Sequence, residues 1–132
     1  RARAEAKGIV LVTEGSGAIQ IKADPDRITQ ALVNLLANAI DASPEGGRVQ
    51  IGCSESDLDG TRLVHIKVRD RGAGIRPEHQ EEIFDPFFTT KEGGTGLGLA
   101  TVKKIITLHG GKVEVESGQG IGTVMKLVLP AE

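Results

Sequence analysis

Asn34 and Asn38 stand four residues apart in QALVNLLANAIDAS. In a helix that spacing puts both carboxamides on one side, off the apolar face. Asn is a mediocre helix former, so a pair at this spacing asks for a reason. A solvated polar face is one. The other is chemical, since carboxamide oxygens suit a hard cation such as Mg²⁺, which takes oxygen ligands and often few of them from protein. Asp70 opens DRGAGI, followed by Gly72, Gly74 and Ile75. That run reads as a turn, or as a carboxylate that accepts from an exocyclic amine beside glycines that admit a flat ring. The third stretch, GGTGLGL at 93–99, crowds four glycines in seven positions directly before a helical pattern. A helix start offers unpaired N–H groups and a positive dipole end, so an anion binds there readily, and glycine lets the backbone approach it. A flexible turn would show the same composition.

Spacing narrows the kind of phosphate site. A dinucleotide fingerprint needs G-x-G-x-x-G after a strand, whereas Gly94, Gly96 and Gly98 run G-x-G-x-G after the unstrandlike FFTTKEG. A P-loop needs Lys and then Ser or Thr after its last glycine, and Leu99-Ala100 stands there instead. Ahead of the glycines, IFDPFFTTK places three Phe within five positions of a stretch without regular period. These rings form either a small satellite core or the grip of a mobile lid.

The elements that must position these groups are legible in part. RARAEAK reads as the end of a helix stopped by Gly8, and GIVLVTE and AIQIKA read as strands around the turn at Gly15 to Gly17. Asp24 and Pro25 give a helix start, and Ile28, Leu32, Leu35, Leu36 and Ala39 form its apolar face. RVQIGCS and TRLVHIKVRD are expected as consecutive strands joined by an acidic loop, ESDLDG, with EHQEEIF as a short helical stretch after them. A second long helix should run from Thr95 or Gly96 to the stop at His109-Gly110-Gly111, followed by a hairpin of KVEVES and TVMKLVLP. The mixture predicts an α/β (α+β) two-layer sandwich: a mixed, mostly antiparallel sheet with helices on one face.

Composition limits the rest. The 132 residues suffice for one core, with 39% hydrophobic and 26% charged residues and a formal net charge of −2. That charge, with no Tyr or Trp, argues against nucleic-acid binding through a basic surface. The single cysteine, Cys53, builds no disulfide framework, and a half-buried core thiol is its expected role. No apolar run approaches a membrane span, and RARAEAKG is not a signal peptide, so this segment is expected to be soluble.

The order of the pieces carries a resemblance. Helix Asn-x-x-x-Asn, then Asp-x-Gly-x-Gly, then Phe-Asp-Pro-Phe-Phe, then Gly-Thr-Gly-Leu-Gly-Leu resembles the sequence boxes of the sensor histidine kinase catalytic domain. HGGKVEVES and the late GIGT match as well, so the likeness runs from Lys7 to the terminal LVLP. That domain belongs to the gyrase, chaperone, histidine kinase and MutL ATPases, which share a Bergerat-type ATP-binding fold. NAIDAS with FFTTK is similar to the nitrogen-regulator type of sensor kinase.

The resemblance implies residues 1–7 as the end of an upstream dimerisation helix and 8–132 as the catalytic domain, with ATP and Mg²⁺ as cofactors. Asn38 would be the Mg²⁺ ligand, and Asn34 would hold phosphate or a metal-bound water. Asp70 would receive the adenine amino group, with Gly72, Gly74, Ile75 and the Thr123 hydroxyl around the base. Gly94, Thr95, Gly96, Leu97, Gly98 and Leu99 would wrap the phosphates, and Lys91 would be their charge partner. Asp41 stands where many histidine kinases carry a Lys, which removes one phosphate contact. Gyrase and MutL relatives place a water-activating Glu at the position of Asn34, and an amide cannot take that proton. Phosphoryl transfer to a good nucleophile, which depends on positioning and charge neutralisation, suits this set better than hydrolysis. None of His65, His79 and His109 lies in a phosphoacceptor pattern, and packing or helix-end roles are expected for them. The acceptor is therefore expected on upstream dimerisation helices of a homodimeric parent, with a response regulator served indirectly, no nucleic acid, and a cytoplasmic setting. A protein-serine kinase of the anti-sigma-factor type and a non-catalytic nucleotide module share the fold and remain alternatives.

Overall fold

The computed structural model describes residues 10–15, 23–72, 74–75, 77–86, 98–118 and 121–131. Strand β1 (Val10–Gly15) is followed by helix α1 (Pro25–Ala42), then strands β2 (Arg48–Leu58) and β3 (Thr61–Asp70). Helix α2 (Gly98–Leu108) and strands β4 (Lys112–Gly118) and β5 (Gly122–Pro130) complete the order. The sheet runs β1-β2-β3-β5-β4. Only β1 and β2 pair in parallel among the described strands. Parallel neighbours need a crossover, and α1 supplies it. The expected mixed, mostly antiparallel sheet is what forms. The expected strand over AIQIKA, apart from Ala23, lies outside the described residues, as does the proposed helix start at Thr95 or Gly96.

Helix α1 begins where the sequence reading puts it. Asp24 caps it, its Oδ1 accepting from the amides of Asp26 (3.0 Å) and Arg27 (3.3 Å), and Pro25 occupies the first turn. Asp24→Ala should lower stability by about 1 kcal/mol, read as a shift in urea midpoint at constant slope. At the other end the Ser43 hydroxyl donates to the Ala39 carbonyl (2.7 Å). Helix α2 stops in a Schellman turn, with Gly111 N–H donating to Ile106 O (2.9 Å) and Gly110 N–H to Thr107 O (3.0 Å).

Two local expectations are corrected. The acidic stretch ESDL is strand, not loop: β2 and β3 stay paired up to Leu58 opposite Thr61. Asp59 (φ 51°) and Gly60 (φ 83°) alone make the turn, the two-residue Asp-Gly hairpin that matches strand twist. EHQEEIF is not one helix but part of two single 3₁₀ turns, Pro77–His79 and Glu82–Phe84. Buried Ile83 ties the second of these to the core, and the Lys103 ammonium of α2 lies 5.7 Å above the Phe84 ring. Phe84 thus joins the core margin, while Phe87 and Phe88 lie outside the described residues.

A single apolar cluster joins the layers. Ala31, Leu35 and Ala39 of α1 and Val102, Ile105 and Ile106 of α2 meet Val64, Ile66 and Val68 of β3 and Met125, Leu127 and Leu129 of β5. The predicted apolar face of α1 holds, with Ala31 and Ile40 added as buried positions.

Candidate functional site

Strand alternation delivers the first functional group. Val64, Ile66 and Val68 point into the core, and the next residue of that parity is Asp70, 4% exposed. On β5 the inward series Leu129, Leu127, Met125 ends on Thr123, 5% exposed and directly opposite Asp70. On β4 the series Val113, Val115 ends on Ser117, directly opposite Thr123. Three strands thus finish their apolar faces with one polar row, Asp70, Thr123 and Ser117, at one end of the sheet.

That row is hydrogen-bonded throughout. Asp70 Oδ1 accepts from Gly72 N–H (2.9 Å). Burial pushes the Asp70 carboxyl above the usual aspartate range, against the pull of the Gly72 and Thr123 backbone amides. Ser117 Oγ receives the Ile75 amide (2.7 Å) and lies 2.8 Å from Thr123 Oγ1. Gln80 donates from Nε2 to the carbonyls of Ile75 (3.1 Å) and Ser117 (3.3 Å). Ser117 and Gln80 were not among the sequence candidates. The parity of Val113, Val115 and Ser117 in KVEVES was the available signal for the first; nothing local marks Gln80.

Gly72 has a packing role of its own. A Cβ there would overlap the carbonyl oxygen of Ala42, so the end of α1 abuts the Asp70–Gly72 corner. Gly74 takes a positive φ of 84°, and Ile75 packs against the core.

The other end of the site lies eight residues back along the same helix, about 12 Å at the helical rise. There Asn34 Nδ2 donates to the carbonyl of Gly98, the first residue of α2 (3.2 Å), while its Oδ1 accepts from Gln30 Nε2 (2.8 Å). Among the described residues, one amide proton and one lone pair of Asn34 are left for other groups. Among the described residues, a Cβ at Gly98 would meet nothing within 4 Å. Asn38, half-buried, lies between the two ends on α1, with Asp41 exposed a turn further on and Leu99 packed against the core. The structure therefore brings together Asn34, Gly98 and Leu99 at one end and Asp70, Gly72, Gly74, Ile75 and Thr123 at the other, with Asn38 on α1 between them. Lys91, Gly94, Thr95, Gly96 and Leu97 lie outside the described residues.

Acidification should act on this corner in two opposite directions. If a ligand amine donates to this carboxylate, protonation removes the acceptor, so affinity for that ligand should fall on acidification by at most about tenfold per pH unit, starting above the ordinary Asp range. Because the folded-state value is raised, Asp70's own contribution to stability is present at low pH and lost as pH rises through that value. Ligand titrations and urea melts on acidification should therefore show opposite trends from this group. Both should flatten in Asp70→Asn; parallel slopes in parent and variant would refute the assignment.

The family described as histidine kinase-, DNA gyrase B- and HSP90-like ATPases matches residues 23–132. The chain belongs to that family. Among curated proteins it is 50% identical over 111 residues to the sensor histidine kinase ZraS of Salmonella typhimurium, covering 84% of this chain and 23% of that one. The chain thus spans about a quarter of that relative's length. Among solved structures it is similar to the mycobacterial sensor histidine kinase MprB, with a TM-score of 0.87 and 32% identity over 100% of this chain and 88% of that one. It is also similar to full-length ShkA in complex with AMPPNP, with a TM-score of 0.85 and 34% identity over 98% of this chain and 27% of that one. Among the described residues no helix is long and apolar enough to cross a membrane.

Proposed function

We propose that this chain is the ATP-binding catalytic domain of a sensor histidine kinase, residues 8–132, which hands the γ-phosphoryl group of Mg·ATP to a histidine on upstream dimerisation helices. One observation carries the reading: α1 touches the buried carboxylate corner at Ala42 and the mouth of α2 at Asn34, so a single rigid element spaces a base site from a phosphate site. The solved ShkA complex with AMPPNP and the names of the relatives support it. They also favour histidine over serine as acceptor.

The residues present suit the ligand. Asp70 receives the adenine amino group beside Gly72, Gly74, Ile75 and Thr123. Asn38 supplies a carboxamide oxygen of the kind a hard cation takes, and Asn34 orients phosphate or water while tying α1 to α2. The N-terminal amides of α2, with Gly94 to Leu99 and Lys91, gather the phosphate charge. Mg²⁺, when bound, neutralises charge on the transferring group. Asn34 is a carboxamide and accepts no proton, so it does not activate water for hydrolysis. The parent is read as a cytoplasmic-facing homodimer that serves a response regulator.

The test supplies the chain with a separately made dimerisation-helix domain and γ-labelled ATP. Acid-labile, base-stable label on the helix domain is expected. Acid-stable label would move the assignment to a serine kinase, and no label with no ATP binding would end it.

A further inference from the structure

The polar row at the end of the sheet contains a hydroxyl whose bonding can be counted. Ser117 Oγ carries one proton and two lone pairs. Its proton goes to the Gly122 carbonyl (3.1 Å), because a carbonyl only accepts. One lone pair takes the Ile75 N–H (2.7 Å). The remaining contact, 2.8 Å to Thr123 Oγ1, must then be donated by threonine. Ser117 is saturated, and the only hydroxyl proton of Thr123 is committed to it. What Thr123 has left for a ligand is lone pairs.

We propose that Ser117 is a specificity-determining residue, which fixes the Thr123 hydroxyl as an acceptor next to the Asp70 carboxylate so that the pocket reads a donor-bearing base edge. This rests on the reading that the Asp70 corner receives the base. Asp70 and Thr123 face each other across β3 and β5 on the same side of the sheet, so two acceptors converge where the exocyclic group of a purine would lie. An amino group offers two protons to such a pair. A carbonyl at the same position meets two acceptors and is rejected, since buried polar groups left unpaired are costly. Ser117 acts through its neighbours, so it is a positioning residue. Gln80 backs it by spending both amide protons on the Ile75 and Ser117 carbonyls, which holds the 74–75 backbone against the end of β4.

The experiment compares the affinities of ATP and inosine triphosphate, which differ at the base edge alone, by calorimetry on this chain. The parent should favour ATP. Ser117→Ala frees the Thr123 proton, which can then turn and donate to the inosine carbonyl, so the ATP/ITP ratio should fall about tenfold or more. Ser117→Thr keeps an oxygen at the same place and should restore the ratio. A merely structural role would weaken both nucleotides equally and leave the ratio intact, and that result overturns the proposal. If Ser117→Ala does not fold, Thr123→Val serves, because it removes the acceptor itself; an unchanged ratio there also overturns it. A parent that binds ATP and ITP equally sinks this proposal and Asp70 as the amine acceptor, but leaves nucleotide binding by the chain standing. A parent that binds neither nucleotide sinks the base-site reading with it.

Discussion

Asn38→Ala is expected to lower phosphoryl transfer to the acceptor helices by at least about 100-fold, because groups that merely support a metal ligand already account for 10–100-fold. The physical argument is positional. Asn38 stands on α1 between the Asn34 contact to Gly98 and the Ala42 contact to Gly72, and on the proposed reading the triphosphate runs between those two points. Alanine keeps the helix, being its best former, and removes the carboxamide. The helix should therefore survive, and a urea melt of the variant separates any loss of stability from the loss of transfer. The parent should bind ATP more tightly with Mg²⁺ than with a chelator, and the variant should lose that difference. Equal metal dependence in both would remove Asn38 from the metal assignment.

Gly72→Ala should damage both stability and nucleotide affinity through a single added methyl group. The added carbon would overlap the Ala42 carbonyl and lie 3.1 Å from Asp70 Oδ1. Neither obstacle is a flexible side chain: one is helix backbone, the other a buried carboxylate held by the Gly72 amide itself. Relief requires either the end of α1 or the corner after β3 to move. Overpacking of this kind lowers stability by about 3 kcal/mol, and the same displacement disturbs the spacing between base corner and helix mouth. A urea melt should show the first effect, and ATP affinity should drop by more than that instability alone predicts. Parent-like melting would mean the corner has slack that the packing does not show.

Legibility followed the locality of each signal. The start of α1 was readable because Asp24 and Pro25 act within one turn of themselves, and the Asn34/Asn38 pair because helical spacing turns sequence distance into a common face. Asp70 was readable because a carboxylate ends an apolar alternation. The extension of β2 was not, since Glu55 to Leu58 are all exposed and carry no alternation; they are strand because β3 continues beside them. EHQEEIF looked helical by composition, yet Pro77 and the anchoring of Ile83 divide it into two tight turns. Ser117 and Gln80 depend on partners 42 and 37 residues apart, brought together by sheet register that no local pattern states. The ATPase resemblance covered the whole site in outline but assigned neither of these two.

His109 joins the end of one helix to the beginning of the other. Its Nε2 accepts the amide of Asp24 (3.1 Å), which leaves Nδ1–H as the donor to the Ile105 carbonyl (2.8 Å). The last turn of α2 and the first of α1 are therefore expected to fray together. Amide exchange at the α2 terminus should slow or quicken together with exchange near Asp24, and His109→Ala should uncouple them, leaving each terminus to open at its own rate.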